Sequence, residues 1–152
     1  NDIDSDDTYL KGLALEAFAI KIMRIIGLDF IQTRLKGNET AGAEVDVLFD
    51  SSRLLYTRWQ VQCKNTATVS LDQIAKEVGL SHVLKTNAIV IMTTGTVSEK
   101  ARNYTTQIMK TMNLCIIMLE GADIDTIIAE PTKILEIFNR ESLNAKQFKV
   151  FE

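Results

Sequence analysis

Cysteine, histidine and long apolar runs are all scarce in this chain, and each shortage excludes something. Two cysteines, Cys63 and Cys115, cannot build a disulfide framework, so a reducing, cytoplasmic setting is the expectation. His82 is the one histidine, and no Cys/His spacing of the zinc-binding kind occurs. The longest purely apolar runs, residues 88–92 and 114–119, are five and six residues. A membrane span needs roughly 18, so no membrane partner is expected. A signal peptide is missing too, because Asp2, Asp4, Asp6 and Asp7 stand where its basic and apolar start would be. Neither G-x-x-x-x-G-K-[ST] nor G-x-G-x-x-G is present. That leaves Thr93-Thr94-Gly95-Thr96 as poor grounds for nucleotide binding, and no cofactor-binding residues are assigned. No internal repeat and no low-complexity linker interrupts the chain.

What is there is ordinary in bulk. Hydrophobic residues make up 46% and charged residues 24% of the 152, the composition of a globular domain rather than a disordered or fibrous one. The length suits a single domain that buries roughly two-thirds of its unfolded surface. We expect an acidic linker or disordered segment at residues 1–7 and one domain at residues 8–152. The first residue is Asn rather than Met, so further domains of a longer protein are expected. The net charge of −3 argues at first against nucleic acid, but residues 8–115 carry +4 between ends of −4 and −3. A mildly basic middle allows a few phosphate contacts, not tight non-specific DNA binding. Ordinary surface charge would give the same counts.

Periodicity orders the elements. Leu10, Leu13, Ala14, Ala17, Ile20, Met23 and Ile26 recur at helical spacing, with Thr8 as the cap and Gly27 as the stop. Residues 30–35 read as a strand and residues 36–42 as a polar loop. Residues 43–50 alternate, with Val45, Val47 and Phe49 opposite Glu44 and Asp46. Residues 58–64 do the same, with Trp59, Val61 and Cys63 opposite Gln60, Gln62 and Lys64. Ser70 with Gln73 forms a capping box that opens a helix through Leu71, Ile74, Val78 and His82. This spacing puts His82 on the apolar face as a packed or hydrogen-bonded histidine rather than a ligand. Residues 88–92 are a buried strand and 93–97 a loop; Ser98 caps a helix through Ala101, Tyr104, Ile108 and Met112. Residues 114–119 are another buried strand, and the rest is mostly helical around the single Pro131. The fold class is therefore α/β: three antiparallel strands, then two strands joined through helices, in a mixed sheet sandwiched by helices.

Gln62-Cys63-Lys64 is the most informative stretch. A strand that ends by alternating Gln and Lys out of one face spends sheet positions on polar groups, which burial makes costly. Gln62 and Lys64 would stand about 6.5–7 Å apart along the strand. Asp46 joins them if its strand is antiparallel and the connection centres on residue 54, for then Asp46 stands opposite Gln62. A tight turn at Ser51-Ser52 would shift that register, so a longer, irregular connection over about residues 51–57 is predicted. Read alone, Gln62 and Lys64 could also be edge-strand residues facing water, and Asp46 a turn or solvent-facing acid.

Asp46 followed by Gln62-x-Lys64 at the end of the next strand resembles the PD-(D/E)XK nuclease signature in its Q-x-K form. More closely, the chain resembles the catalytic domain of Mrr-type restriction endonucleases. The similarity lies in Gly12-Leu-Ala-Leu-Glu16, Gly42-Ala-Glu-Val-Asp46, Trp59-Gln-Val-Gln-Cys-Lys64, and Ile89-Val-Ile-Met-Thr-Thr-Gly95 followed by Lys100-Ala101. It covers residues 10–128. The chain departs from the pattern at Ala43-Glu44, where the family often has a Gly pair, and at Gln62, where the wider superfamily has an acid.

The resemblance implies a three-layer α/β/α sandwich and Mg²⁺-dependent hydrolysis of DNA phosphodiesters, with Mn²⁺ as a substitute ion. Asp46, Gln62 and the backbone carbonyl of Cys63 would be metal ligands, Mg²⁺ being a hard ion that takes oxygen. Lys64 would hold or activate the attacking water and offset charge on the phosphorane. Gln62 in place of an acid removes a negative charge, which another carboxylate or the substrate must replace. Glu16 is the candidate, since Gly12, Leu13, Ala19 and Ile20, its helical neighbours, are not basic; it reads equally as an exposed helix acid. Glu44 is a lesser candidate, and Gln60 reads as a neighbour only. DNA is the expected partner, and two-strand cleavage makes a homodimer plausible. A junction-selective nuclease of the Holliday junction resolvase kind, and a DNA-binding or assembly domain with a degenerate site, are the alternatives. The DNA-contacting residues are not legible.

Overall fold

The computed structural model describes residues 7–35, 45–51 and 56–149. Glu44, the polar loop of residues 36–42 and most of the inter-strand connection expected from the sequence lie outside them. Helix α1 (Thr8–Ile25) opens where the Asp7 carboxylate accepts hydrogen bonds from the backbone N–H groups of Tyr9 and Leu10. Asp7 thus caps the helix in place of the expected Thr8, and its negative charge suits the positive end of the helix dipole. Gly27 stops the helix with φ of 90°, a conformation side chains resist.

Strands β1 (Asp29–Leu35), β2 (Val45–Ser51) and β3 (Thr57–Lys64) follow, then β4 (Thr68–Val69), α2 (Leu71–Leu84), β5 (Ala88–Thr93) and β6 (Thr96–Val97). Helix α3 (Glu99–Thr111), β7 (Cys115–Leu119), α4 (Gly121–Ala129) and α5 (Ile134–Gln147) complete the chain, with a 3₁₀ turn, Pro131–Lys133, before α5. The main sheet has the order β1-β2-β3-β5-β7. Its first three strands pair antiparallel and its last three parallel. The two-residue strands β4 and β6 pair parallel with each other, where the sequence suggests only loop; two residues carry no periodicity to read.

Both capping predictions for the middle helices hold. Ser70 and Gln73 exchange the two bonds of a capping box at α2, and Ser98 Oγ accepts from Ala101 N–H at α3. Leu15, Ala19, Ile22 and Met23 of α1 pack on Val47, Phe49, Val61, Val90 and Met92 of one sheet face, beside Ile124 and Ile127 of α4. Ile74 and Val78 of α2 with Ala101 and Met109 of α3 cover Ile89, Ile91, Ile116 and Met118 on the other. The result is a three-layer α/β/α sandwich, as expected. At the β7 edge Met118 N–H donates to Glu141 Oε2 of α5 at 3.4 Å, so a helix satisfies a strand group that would otherwise face water.

Two faces were misjudged from spacing. Helix α1 is apolar almost all round, so periodicity could not select its core stripe: Ala17 and Leu10 are exposed, and of the expected residues only Met23 is fully buried. His82 is exposed rather than packed. The buried stripe of α2 runs Ile74, Glu77, Val78, Ser81 and Leu84, and the 3.6-residue turn carries His82 past it.

Candidate active site

Strand β3 occupies the middle of the sheet, antiparallel to β2 on one side and parallel to β5 on the other. Its ladder with β2 runs from Val47↔Val61 to Ser51↔Thr57. Every one of these pairs is centred on residue 54, the register derived from the sequence. One step beyond the Val47↔Val61 pair the Asp46 carboxylate replaces the ladder. Its Oδ2 accepts from Gln62 Nε2 at 2.7 Å and from the backbone N–H of Cys63 at 2.6 Å. In an extended strand a residue's N–H and C=O point to the same side, so the Cys63 carbonyl also lies toward β2. Lys64 follows at the strand end, half-buried, with no carboxylate of the described residues within ion-pairing distance.

Burial pushes the Asp46 carboxyl above its ordinary value; the Cys63 N–H and the Lys64 charge oppose that push, while the Glu16 charge adds to it. Burial also drives the Cys63 thiol well up, which makes it a small hydrophobe rather than a nucleophile. Cys115 behaves alike.

Glu16, read from the sequence as a metal-site carboxylate or an exposed helix acid, pairs with Arg34 of β1. The guanidinium donates through Nε and Nη2 to both carboxylate oxygens at 3.2 Å. Arg34 holds a φ of 49°, uncommon for a side-chain-bearing residue, while making this two-pronged pair. Glu16 nevertheless stands near enough to the site for its charge to act on Asp46.

Two residues that sequence reading left aside belong to the same sheet face. Gln60 is fully buried, and its Nε2 donates to the Glu77 backbone carbonyl at 3.1 Å and to Glu77 Oε2 at 3.2 Å. Its Oε1 accepts from Thr86 Oγ1 at 2.7 Å. Glu77 is 1% exposed, and among the described residues it forms no salt bridge. Burial raises its carboxyl to about 7; the Lys64 and Lys76 charges pull it down and the Asp46 charge pushes it up. The signal was legible: Glu77 falls three residues after Ile74 and one before Val78, an acid on an apolar stripe.

The 93–96 loop backs this end of the sheet. Thr94 N–H donates to the Lys64 carbonyl and Thr94 Oγ1 to Asn65 Oδ1. A Cβ on Gly95 would come within 2.2 Å of the Ala67 carbonyl oxygen, so the loop lies directly on residues 66–67. The site therefore sits at the carboxyl ends of the parallel strands β3 and β5, where open α/β sheets bind ligands. A cleft of about 220 Å³ between α3, α5 and β7 is a poorer candidate. Its charged side chains are already paired with residues outside it, Arg102 with Glu120 and Glu141 with Arg140.

A hard divalent cation fits the donor set. Among the described residues no three His, Cys, Asp or Glu side chains gather as a metal cluster, so the oxygens are mixed. Gln62 Oε1 is buried without a hydrogen-bond partner, an expensive state that a cation or a donor would relieve. It is anchored to the Asp46 carboxylate through its own amide nitrogen. Amide and carboxylate oxygens are what Mg²⁺ takes.

The solved structures that resemble the chain share its fold. The restriction endonuclease AspBHI, described as DNA modification-dependent, superposes with a TM-score of 0.57 at 14% identity, over 86% of this chain and 35% of its own. The MspJI restriction endonuclease, solved in complex with a 27-mer oligonucleotide, gives 0.51 at 18% identity over 91% and 31%. AF1548, a protein of unknown function, gives 0.55 at 14% identity over 69% and 55%. The chain thus spans about half of one of these proteins and a third of the other two. No curated protein matches it significantly. The family model Mrr_cat, restriction endonuclease, matches residues 9–128, which include α1 with Glu16, the Asp46 and Gln62-Cys63-Lys64 strands, and α2 with Glu77: this chain belongs to the Mrr_cat restriction endonuclease family.

Proposed function

We propose that the chain is the catalytic domain of an endonuclease of restriction type that hydrolyses phosphodiester bonds of duplex DNA with the help of Mg²⁺. One observation carries the reading: the Gln62 amide and the Cys63 N–H converge on Asp46 Oδ2, leaving Gln62 Oε1 buried and unsatisfied beside Lys64. Asp46 and Gln62, with the Cys63 carbonyl, would hold the cation. When bound, Mg²⁺ supplies positive charge to the scissile phosphate and lowers the pKa of an attacking water. Among the described residues Lys64 forms no ion pair. It is free to donate hydrogen bonds to that water and to the phosphate oxygens as their charge grows. The two bonds on Asp46 fix its carboxylate before substrate arrives, so little reorganisation is left for the reaction. DNA as the partner is supported by the family and by the oligonucleotide in the MspJI structure.

The test is cleavage of plasmid duplex and of a four-way junction with Mg²⁺ or Mn²⁺, comparing the chain with Asp46→Ala and Lys64→Ala. Removing groups that act together on one transition state costs at least about a hundredfold each. Full-rate cutting by both variants would reject the site. Preference for the junction would move the reading to a structure-selective nuclease. Metal-dependent cutting that never appears, even within the longer protein, would leave a DNA-binding or assembly domain.

A further inference from the structure

We infer that Glu77 is the second acidic residue of this site: its buried Oε1, on the α2-facing side of β3 with Gln62, supplies the negative charge that a divalent cation requires and Gln62 lacks. The inference deepens the nuclease reading and rests on it.

Three observations lead there. Glu16, the expected source of that charge, has both oxygens engaged by Arg34. Glu77 is an acid in the core with Oε1 unpartnered, one of three such side-chain atoms among the described residues. Gln62 Oε1 is another, and it projects from the same face of β3 as Gln60, the residue that grips Glu77. Gln60 and Gln62 are two strand positions, about 6.5–7 Å, apart. Unsatisfied acceptor oxygens on one face of a strand are costly in a core and suited to receiving a cation.

The remaining bonds hold Glu77 in place. Thr86 Oγ1 donates to Gln60 Oε1, and Gln60 Nε2 donates to both the backbone oxygen and Oε2 of Glu77. This chain fixes the helix and one carboxylate oxygen while leaving the other free. The large majority of buried side-chain polar atoms in native proteins have a hydrogen-bond partner. Asp46 and Lys64 lie close enough for their charges to act on Glu77, so the group belongs to the same electrostatic neighbourhood as the site.

Calorimetric titration of the chain with Mg²⁺ and Mn²⁺, with and without a short DNA duplex, tests this. Glu77→Gln keeps the shape and the Gln60 bond while deleting the charge, and circular dichroism and thermal melting without metal verify its fold. Loss of a residue that contributes to cation binding weakens affinity about 10–100-fold, and that is expected of Glu77→Gln. Wild-type affinity in Glu77→Gln, with binding lost in Asp46→Asn, overturns this inference alone. No cation binding by wild type in any arm overturns the inference and the metal-dependent reading together. Should Glu77→Gln fail to fold, Glu77→Asp, which draws the carboxylate back by one methylene, is held to the same comparison.

Discussion

At the scale of single residues the site is a problem in where charge can be tolerated. Glu77 binds its proton up to about pH 7 in the fold, against an ordinary value of 4.5. Between those values the folded state holds more protons than the unfolded state. Stability therefore falls as pH rises from 4.5 toward 7 and stays reduced above it. Glu77→Gln removes that penalty: urea unfolding should show it more stable than wild type at pH 8, by up to about 3 kcal/mol, and nearly equal at pH 5. An equal difference at both pH values would contradict the assignment. Gln62→Glu makes the converse point. The new carboxylate cannot donate to Asp46 Oδ2, which Gln62 Nε2 approaches at 2.7 Å, so two like charges would face each other. Without metal this variant should melt below wild type, and Mg²⁺ should raise its melting temperature more than it raises wild type's.

At the scale of elements, helix ends and one tight crossing hold the site's supports in place. Helix α2 carries Glu77 and starts from the Ser70–Gln73 capping box. Ser70→Ala removes the acceptor of the Gln73 N–H and should cost about 1 kcal/mol in denaturant unfolding. Gly95 is a harder constraint. Any Cβ there meets the carbonyl oxygens of Ala67 and Thr66 at 2.2 and 2.3 Å, and backbone cannot rotate away as a side chain can. Gly95→Ala should destabilise by about 1–3 kcal/mol. It should also slow cleavage more than Ser70→Ala does, because the displaced loop includes Thr94, whose N–H bonds the Lys64 carbonyl.

At the scale of the whole molecule the net charge of −3 limits what the domain can do by itself. Affinity for a DNA duplex must come from a few local contacts, so the slope of log K against log salt should be roughly −2 to −4. Fluorescence anisotropy with Asp46→Asn and a labelled duplex would measure it. A slope near zero would mean that phosphates are not the ligand. The chain spans a third of AspBHI and of MspJI, and we propose that sequence choice comes from outside this domain. Sedimentation with and without DNA would reveal whether two copies pair to cut both strands.

The sequence by itself determined the main elements and the β2–β3 register, though not the two-residue strands β4 and β6. Alternation in residues 58–64, the caps at Ser70 and Ser98, and two apolar strands led to the sandwich, because such signals are local and repeat over a few residues. The convergence of Asp46 with Gln62 was legible too, since pleat parity and the position of the connection set which residues face each other across β2 and β3. Only the tertiary structure decided who neutralises whom. Arg34 reaches Glu16 across 18 positions of sequence, and Gln60 with Thr86 grips Glu77 across two further elements. Charge partners are chosen by distance in space and by the cost of burial, and neither is written in the spacing of residues along a chain.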